Sequence, residues 1–215
     1  MDPLTFLAWR LYYFFRDPVR KPPAGRVLLA PADGFLLYAR RVKGGEVPSP
    51  IKKGVPIALE EWVGEVPVTG DGTLIGIYMT ALNVHYIRSP VPGQVSHVVP
   101  RPARGENLHQ TRTFVRLIWG MQPYEEDSQY ITQNARNTIR IEGEVPVVVV
   151  QIADRYVREC DAFVTPGQAV AAGDKIGMIR MGSQCDLFVP DSAGVTLDCT
   201  PGAKVRAGET VLGRY

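Results

Sequence analysis

The sequence predicts a mainly β protein (α+β overall) with a small-barrel or barrel-sandwich-like β core and one N-terminal amphipathic helix. Three observations carry this. Short apolar runs of period two recur along most of the 215 residues. The 21 glycines and 18 prolines are spread between those runs, where they punctuate turns. The tail also repeats a pattern: "PGQAVAAGDKIG" (166–177) and "PGAKVRAGETVLG" (201–213) share P-G-x-x-V-x-A-G.

The elements follow in order. "LTFLAWRLYYFF" (4–15) is the strongest helical segment. It rises about 18 Å, whereas a spanning helix needs about 20 residues. Arg10 interrupts it, and Asp2 gives it an acidic start, unlike a secretory signal. It can be a core helix or lie flat on a membrane. The aromatic residues Trp9, Tyr12 and Tyr13, and the basic collar Arg10, Arg16, Arg20, Lys21 and Arg26, favour the second. Segment 26–42 reads as two strands about a turn at Ala32-Asp33-Gly34. Segments 51–67 and 74–99 continue the strand-and-turn pattern, and Val147 to Val150 read as a strand buried on both faces. Region 101–136 breaks the pattern. Its apolar patch (Phe114, Val115, Leu117, Ile118, Trp119, Met121) belongs either to an excursion packed on the core or to a lid or second membrane contact. The tail rhythm suits barrels of the biotinyl or lipoyl type, where glycine makes the corners. Neither Lys175 nor Lys204 sits in the context of a prosthetic-group lysine, so a non-enzymatic carrier module is the weaker reading.

The formal charge of +2 gives no argument for nucleic acid. The three cysteines, Cys160, Cys185 and Cys199, show no CxxC spacing and read as free thiols. Scattered Cys and His predict no metal site. No P-loop, Rossmann fingerprint or G-x-S-x-G elbow is present. Taken singly, Asp33 is an ordinary turn residue. His85, at the end of a strand, is the strongest of the three histidines, ahead of His97 and His109. Ser183 lies in the only Gly-Ser pair, between two β-like runs.

Together these residues resemble a family. "FFRDPVRKPP", "PADG", "LNVHYIRSPVPGQV", "NARNTI", "VVVQIADRYVR" and "GDKIGMIRMGSQCDLFVP" stand in the order found in the short form of the phosphatidylserine decarboxylase family, archaetidylserine decarboxylases included. The resemblance runs from about Phe14 to the C-terminus, with 101–133 outside it. It implies autocatalytic serinolysis at Gly182-Ser183, giving a β chain (1–182) and an α chain (183–215). Ser183 would become a covalent pyruvoyl group, which forms a Schiff base with the substrate amine and acts as an electron sink. His85 would be proton donor or base, and Asp33 the acidic residue tied to self-cleavage. Arg88 and Asn83 are assigned to substrate. Arg88 stands where long-form relatives have a second histidine, so the base is either His85 for both steps or Asp33, directly or through water. Gln184 replaces an expected Arg or Thr.

The implied reaction converts a serine phospholipid to the ethanolamine phospholipid; a non-lipid amino-acid derivative is the alternative substrate. The implied domains are a membrane-associating segment (1–23) and a catalytic β-rich domain (24–215). The implied partners are an anionic serine phospholipid, a membrane surface at the cytoplasmic face, the two chains of one precursor, and a homo-oligomer.

Overall fold

A computed structural model describes residues 2, 5, 9–48, 55–64, 66–68, 70–157, 160–180 and 183–215, with backbone alone at 9–11. The expected N-terminal helix is helical where described: Thr5, then α1 (Trp9–Phe14), wound with the wider π pitch. Most of 4–8 lies outside the described residues.

Strands β1 (Val27–Leu29) and β2 (Gly34–Val42) flank the Pro31–Asp33 turn as expected. A ribbon of β3 (Glu46–Val47) and β4 (Ile57–Ala58) leads into α2 (Leu59–Val63). Then come β5 (Gly72–Met79), β6 (Tyr86–Arg88) and β7 (Gly93–Arg101). Helices α3 (Thr111–Ile118) and α4 (Tyr130–Gln133) precede β8 (Arg136–Glu142) and β9 (Val147–Ala153). The tail holds β10 (Cys160–Ala162), β11 (Ala169–Val170), β12 (Lys175–Ile179), β13 (Ser183–Pro190), β14 (Thr196–Leu197), β15 (Lys204–Val205) and β16 (Val211–Arg214).

An eight-stranded sheet runs in the order β11-β7-β8-β9-β13-β5-β2-β15, and two three-stranded sheets, β10-β12-β6 and β1-β16-β14, accompany it. One face of the large sheet carries Ile75, Ile77, Met79, Cys185, Leu187 and Val149 into the core shared with the small sheets. The other face carries Tyr38, Leu74, Val148 and Phe188 beneath α2, α4 and Tyr124. Val147–Ala153 is buried throughout, because β9 has strands on both edges and a core on each face.

The tail echo is a structural repeat. Its glycines sit in equivalent left-handed turns, Gly167 and Gly173 in one copy, Gly202 and Gly208 in the other. Each copy closes one end of the large sheet, β11 on β7 and β15 on β2. The bonds correspond pair by pair. Leu36 N–H donates to the Ala203 carbonyl as Val95 N–H does to Gln168; Gly208 N–H donates to Ala30 as Gly173 N–H does to Ser89. Across the halves, Leu29 N–H donates to Pro90 and Arg88 N–H to Pro31. "PADG" (31–34) and "PVPG" (90–93) are therefore equivalent corners of a pseudo-twofold β core, and only the first carries an acid. Gly34 and Gly93 are required there: a Cβ would overlap the Tyr78 carbonyl oxygen at one corner and the Glu142 carbonyl oxygen at the other.

Region 101–133 packs on the core through Tyr124, Tyr130 and Ile131, which are buried. Helix α3 rides outside it. Among the described residues no helix is long and apolar enough to cross a membrane.

Candidate active site

β13 begins at Ser183, which pairs with Met79 of β5 on one side and Ala153 of β9 on the other. Beyond Met79 the chain crosses to the small sheet as β6, and β12 makes the reverse crossing into β13. Pairing resumes at Tyr86–Met178. Between these registers lies a seam, with 80–85 on one lip and Ile179 and Arg180 on the other among the described residues. It is closed at its far end by a bond from Ile179 N–H to the His85 carbonyl, 3.3 Å. Six residues separate Met79 from Tyr86 and four separate Met178 from Ser183, so the register of β13 on β5 cannot run on into that of β12 on β6. His85 and Ser183 therefore stand at opposite ends of one break in the sheet. Gly182, half of the expected cleavage site, lies outside the described residues.

Ser183 is fully buried, and its hydroxyl donates to Met79 Sδ at 3.2 Å. His85 is also fully buried, against the Phe14 ring with centroids 4.4 Å apart. Its Nδ1 is 3.0 Å from the Asn83 carbonyl. A carbonyl only accepts, so Nδ1 carries the proton and Nε2 presents a lone pair. That buried Nε2 has no protein partner among the described residues. Burial pushes the imidazole down to about 4; the bond to Asn83 opposes this and the Arg16 charge adds to it. His85 is thus neutral at neutral pH, with an available basic nitrogen.

Asp33 sits at the end of β2. Its Oδ1 accepts from Ala207 N–H at 2.8 Å and its Oδ2 from Arg20 at 2.9 Å. The β2–β5–β13 register sets it two strands away from Ser183, about 10 Å at the usual strand spacing. The hydroxyl, the imidazole and the carboxylate occupy one region, but each bonds to a different neighbour.

The "FFRDPVR" stretch ties the region together. Phe14 covers His85, and Arg16 donates to the Leu82 carbonyl at 2.6 Å. Asp17 accepts from Arg88 at 2.5 Å and Lys175 at 2.8 Å; Arg20 holds both Asp33 and Glu209. The Arg20 side chain is only 6% exposed and engages the protein's own carboxylates. Arg88 is buried and donates to Asp17 and the Gly173 carbonyl (2.8 Å). Asn83 lines the adjacent cleft, its Oδ1 accepting from the Thr80 N–H and hydroxyl at 2.8 Å each.

That cleft, of about 680 Å³, is lined by Tyr13, Arg16, Asp33, Asn83, Ile118 and Lys204 among others. Its basic side chains and apolar rim suit an anionic, partly apolar ligand.

Sequence reasoning missed the polar cluster on the opposite face of β13. Asp186 accepts from Trp62 Nε1 (2.5 Å), Tyr38 (2.8 Å) and Gln184 (2.7 Å), and Tyr130 donates to Gln184 Oε1 (2.6 Å). Burial raises the Asp186 carboxyl to about 6, against the lowering effect of those donors. The alternation "SQCDLF" marks it: Gln184 and Asp186 share one face of a buried strand. The same burial holds the three free thiols upward, Cys160 to about 12 and Cys199 to about 11.

A mainly β core with a buried strand-end serine and a buried, neutral histidine defines the class of this protein once its relatives are set beside it: it is a decarboxylase. A family model described as phosphatidylserine decarboxylase matches residues 7–213. The phosphatidylserine decarboxylase proenzyme of Pelodictyon phaeoclathratiforme is 32% identical over 206 residues, 94% of this chain and 78% of that protein. The proenzyme of the same name from Erythrobacter litoralis is 32% identical over 99% of this chain and 76% of its own length; that of Chlorobium luteolum is 34% identical over 95% and 78%. The chain belongs to the phosphatidylserine decarboxylase family.

Proposed function

We propose that the chain cuts itself between Gly182 and Ser183 and, with the pyruvoyl group so formed, decarboxylates a serine phospholipid to the ethanolamine phospholipid. The observation that carries this reading is the buried His85 Nε2, without a protein partner among the described residues, at one end of the break in the sheet whose other end is Ser183. The proenzyme names of the relatives support processing.

Self-cleavage follows from elementary steps. The Ser183 hydroxyl attacks the Gly182 carbonyl carbon and loses its proton to a base. The C–N bond breaks, leaving an ester and a free amine at 183. Removal of the Ser183 α-proton expels the Gly182 carboxylate and leaves dehydroalanine. Addition of water and release of ammonia give the pyruvoyl end of the α chain. His85 Nε2 is assigned as the base, since it is neutral and points no proton of its own at the hydroxyl. Asp33 is assigned to the same cleavage from the cleft side, which requires Arg20 to release Oδ2.

The residues at the seam suit such a group, because Met79, Ala153 and Phe14 keep water away from position 183 and from the imidazole. A pyruvoyl carbonyl supplies an electron sink for the charge left when CO₂ departs. His85 Nε2, having taken a proton from the substrate's ammonium group, gives it to the α-carbon that CO₂ leaves. The cleft gives Asn83 and Lys204 to the headgroup, with Arg16 at the phosphate. In this reading the enzyme is a peripheral membrane protein of the cytoplasmic face, with 1–23 as the membrane-associating segment and 24–215 as the catalytic domain.

A denaturing gel tests the reading: wild type should give two chains and Ser183→Ala one. A wild type that stays uncut would overturn it.

A further inference from the structure

Helix α3 presents an apolar stripe to solvent. Its arginines are held by the protein's own acids and carbonyls: Arg112, itself exposed, pairs with Asp127 (3.0 Å), and Arg116 with Glu126 (2.6 Å) and the Pro123 carbonyl (2.8 Å). Thr113 is buried and bonds to Ser128 at 2.7 Å, while Leu117 packs on the core. Phe114, Val115, Ile118 and Trp119 are left as one outward apolar stripe at i, i+1, i+4, i+5 spacing, continued by Met121. Ile118 is 61% exposed and Trp119 75%. A surface helix normally arranges its faces the other way.

The stripe does not stand alone. Phe114 and Ile118 form one wall of the cleft, and Leu82, 64% exposed, with Tyr13 forms the facing wall. The apolar rim thus comes from three segments distant in sequence, all bordering one opening. Arg16, Lys204 and Arg206 line the same cleft.

We propose that α3 and the Trp119–Met121 turn, with Leu82 opposite, form a lip that inserts into a lipid bilayer and opens the cleft directly onto the headgroup layer. Three arguments choose a bilayer over a protein partner. The rim is continuous with the cleft assigned to the lipid headgroup, and to that extent the inference rests on the proposed function. Cations beside an apolar edge complement phosphates lying at an acyl boundary. Trp119, Tyr12 and Tyr13 are amphipathic rings of the kind that settle at that boundary. The lip lies in region 101–133, so it would hold the membrane independently of the N-terminal helix.

The test uses full-length protein and phosphatidylcholine vesicles with and without phosphatidylserine. Val115 and Trp119 lie outside the cleft lining, so V115S/W119S should float about tenfold less well. It should still cut itself and still turn over a water-soluble short-chain serine lipid at the wild-type rate. Equal flotation of variant and wild type would overturn the lip. A wild type that floats but never cuts itself would sink the functional reading while leaving the lip standing. If the double variant misfolds, W9F keeps the inference testable, because Trp62 is buried and Trp119 is then the exposed indole. Brominated phosphatidylcholine should quench W9F fluorescence; absence of quenching would overturn the proposal. So would a dimer in sedimentation that V115S/W119S dissolves with flotation unchanged.

Discussion

His85 and Asp186 are buried titratable groups whose effects on stability have opposite signs. The folded state holds His85 at about 4, below its ordinary 6.5. Between these values the unfolded chain binds the extra proton, so this contribution is full above pH 6.5 and is lost as pH falls toward 4. Asp186 is held at about 6, above its ordinary 3.8. Between pH 4 and 6 the folded state binds the extra proton, so this contribution is present at low pH and is lost as pH rises through 6. Denaturant midpoints from pH 4 to 7 should show it: His85→Gln flattens the fall at acid pH, and Asp186→Asn steepens it. Two variants with parallel curves would contradict both assignments. In catalysis His85→Ala should slow self-cleavage at least about a hundredfold, the usual scale of general-base loss, as read by band intensities over time. Asp33→Asn with cleavage abolished and His85→Ala cleaving normally would move the base to Asp33.

At the scale of elements, the two P-x-x-G corners explain why so many glycines recur. Gly34→Ala puts a methyl group against the Tyr78 carbonyl where β2 meets β5. It should cost about 1–3 kcal/mol, the range for an overpacked core, measured by denaturant unfolding of the Ser183→Ala proenzyme. The 14–20 strap makes a different prediction. Deleting residues 1–20 removes the cover of His85 and the partners of Asp33 and Arg88 together, so it should impair self-cleavage in detergent solution, where no membrane is present. Unimpaired cleavage would reduce the strap to an anchor. Much of this was legible in sequence. Turn chemistry placed β1 and β2, and the unbroken valine run marked β9. The tail echo pointed to the barrel-sandwich class, although the equivalence of its glycine turns needed the backbone. The strap was read as a basic collar because charge alone does not say that Arg20 faces Asp33, or that Asp17 holds Arg88. The Asp186 cluster was missed for a related reason: Tyr38, Trp62 and Tyr130 are distant in sequence and read as core aromatics until the sheet stacks them under β13.

The whole molecule is a β core that is nearly symmetric in backbone and asymmetric in chemistry. One corner carries Asp33, one crossing carries His85, and one strand begins at Ser183. The cleft, the apolar lip and the strap all converge on that half. The site motifs were legible in order along the chain, but their spatial relation was not: the sequence does not say that His85 and Ser183 stand at the two ends of one break in the sheet. The central claim is that this seam cuts the chain and leaves a carbonyl in place of the Ser183 amine. The most direct measurement is the intact mass spectrum of the purified wild-type protein. The account predicts two chains, 1–182 and 183–215, with the smaller one lacking a free amino terminus and carrying a pyruvoyl group. A single chain of the full 215-residue mass, or a smaller chain beginning with unmodified serine, would contradict it.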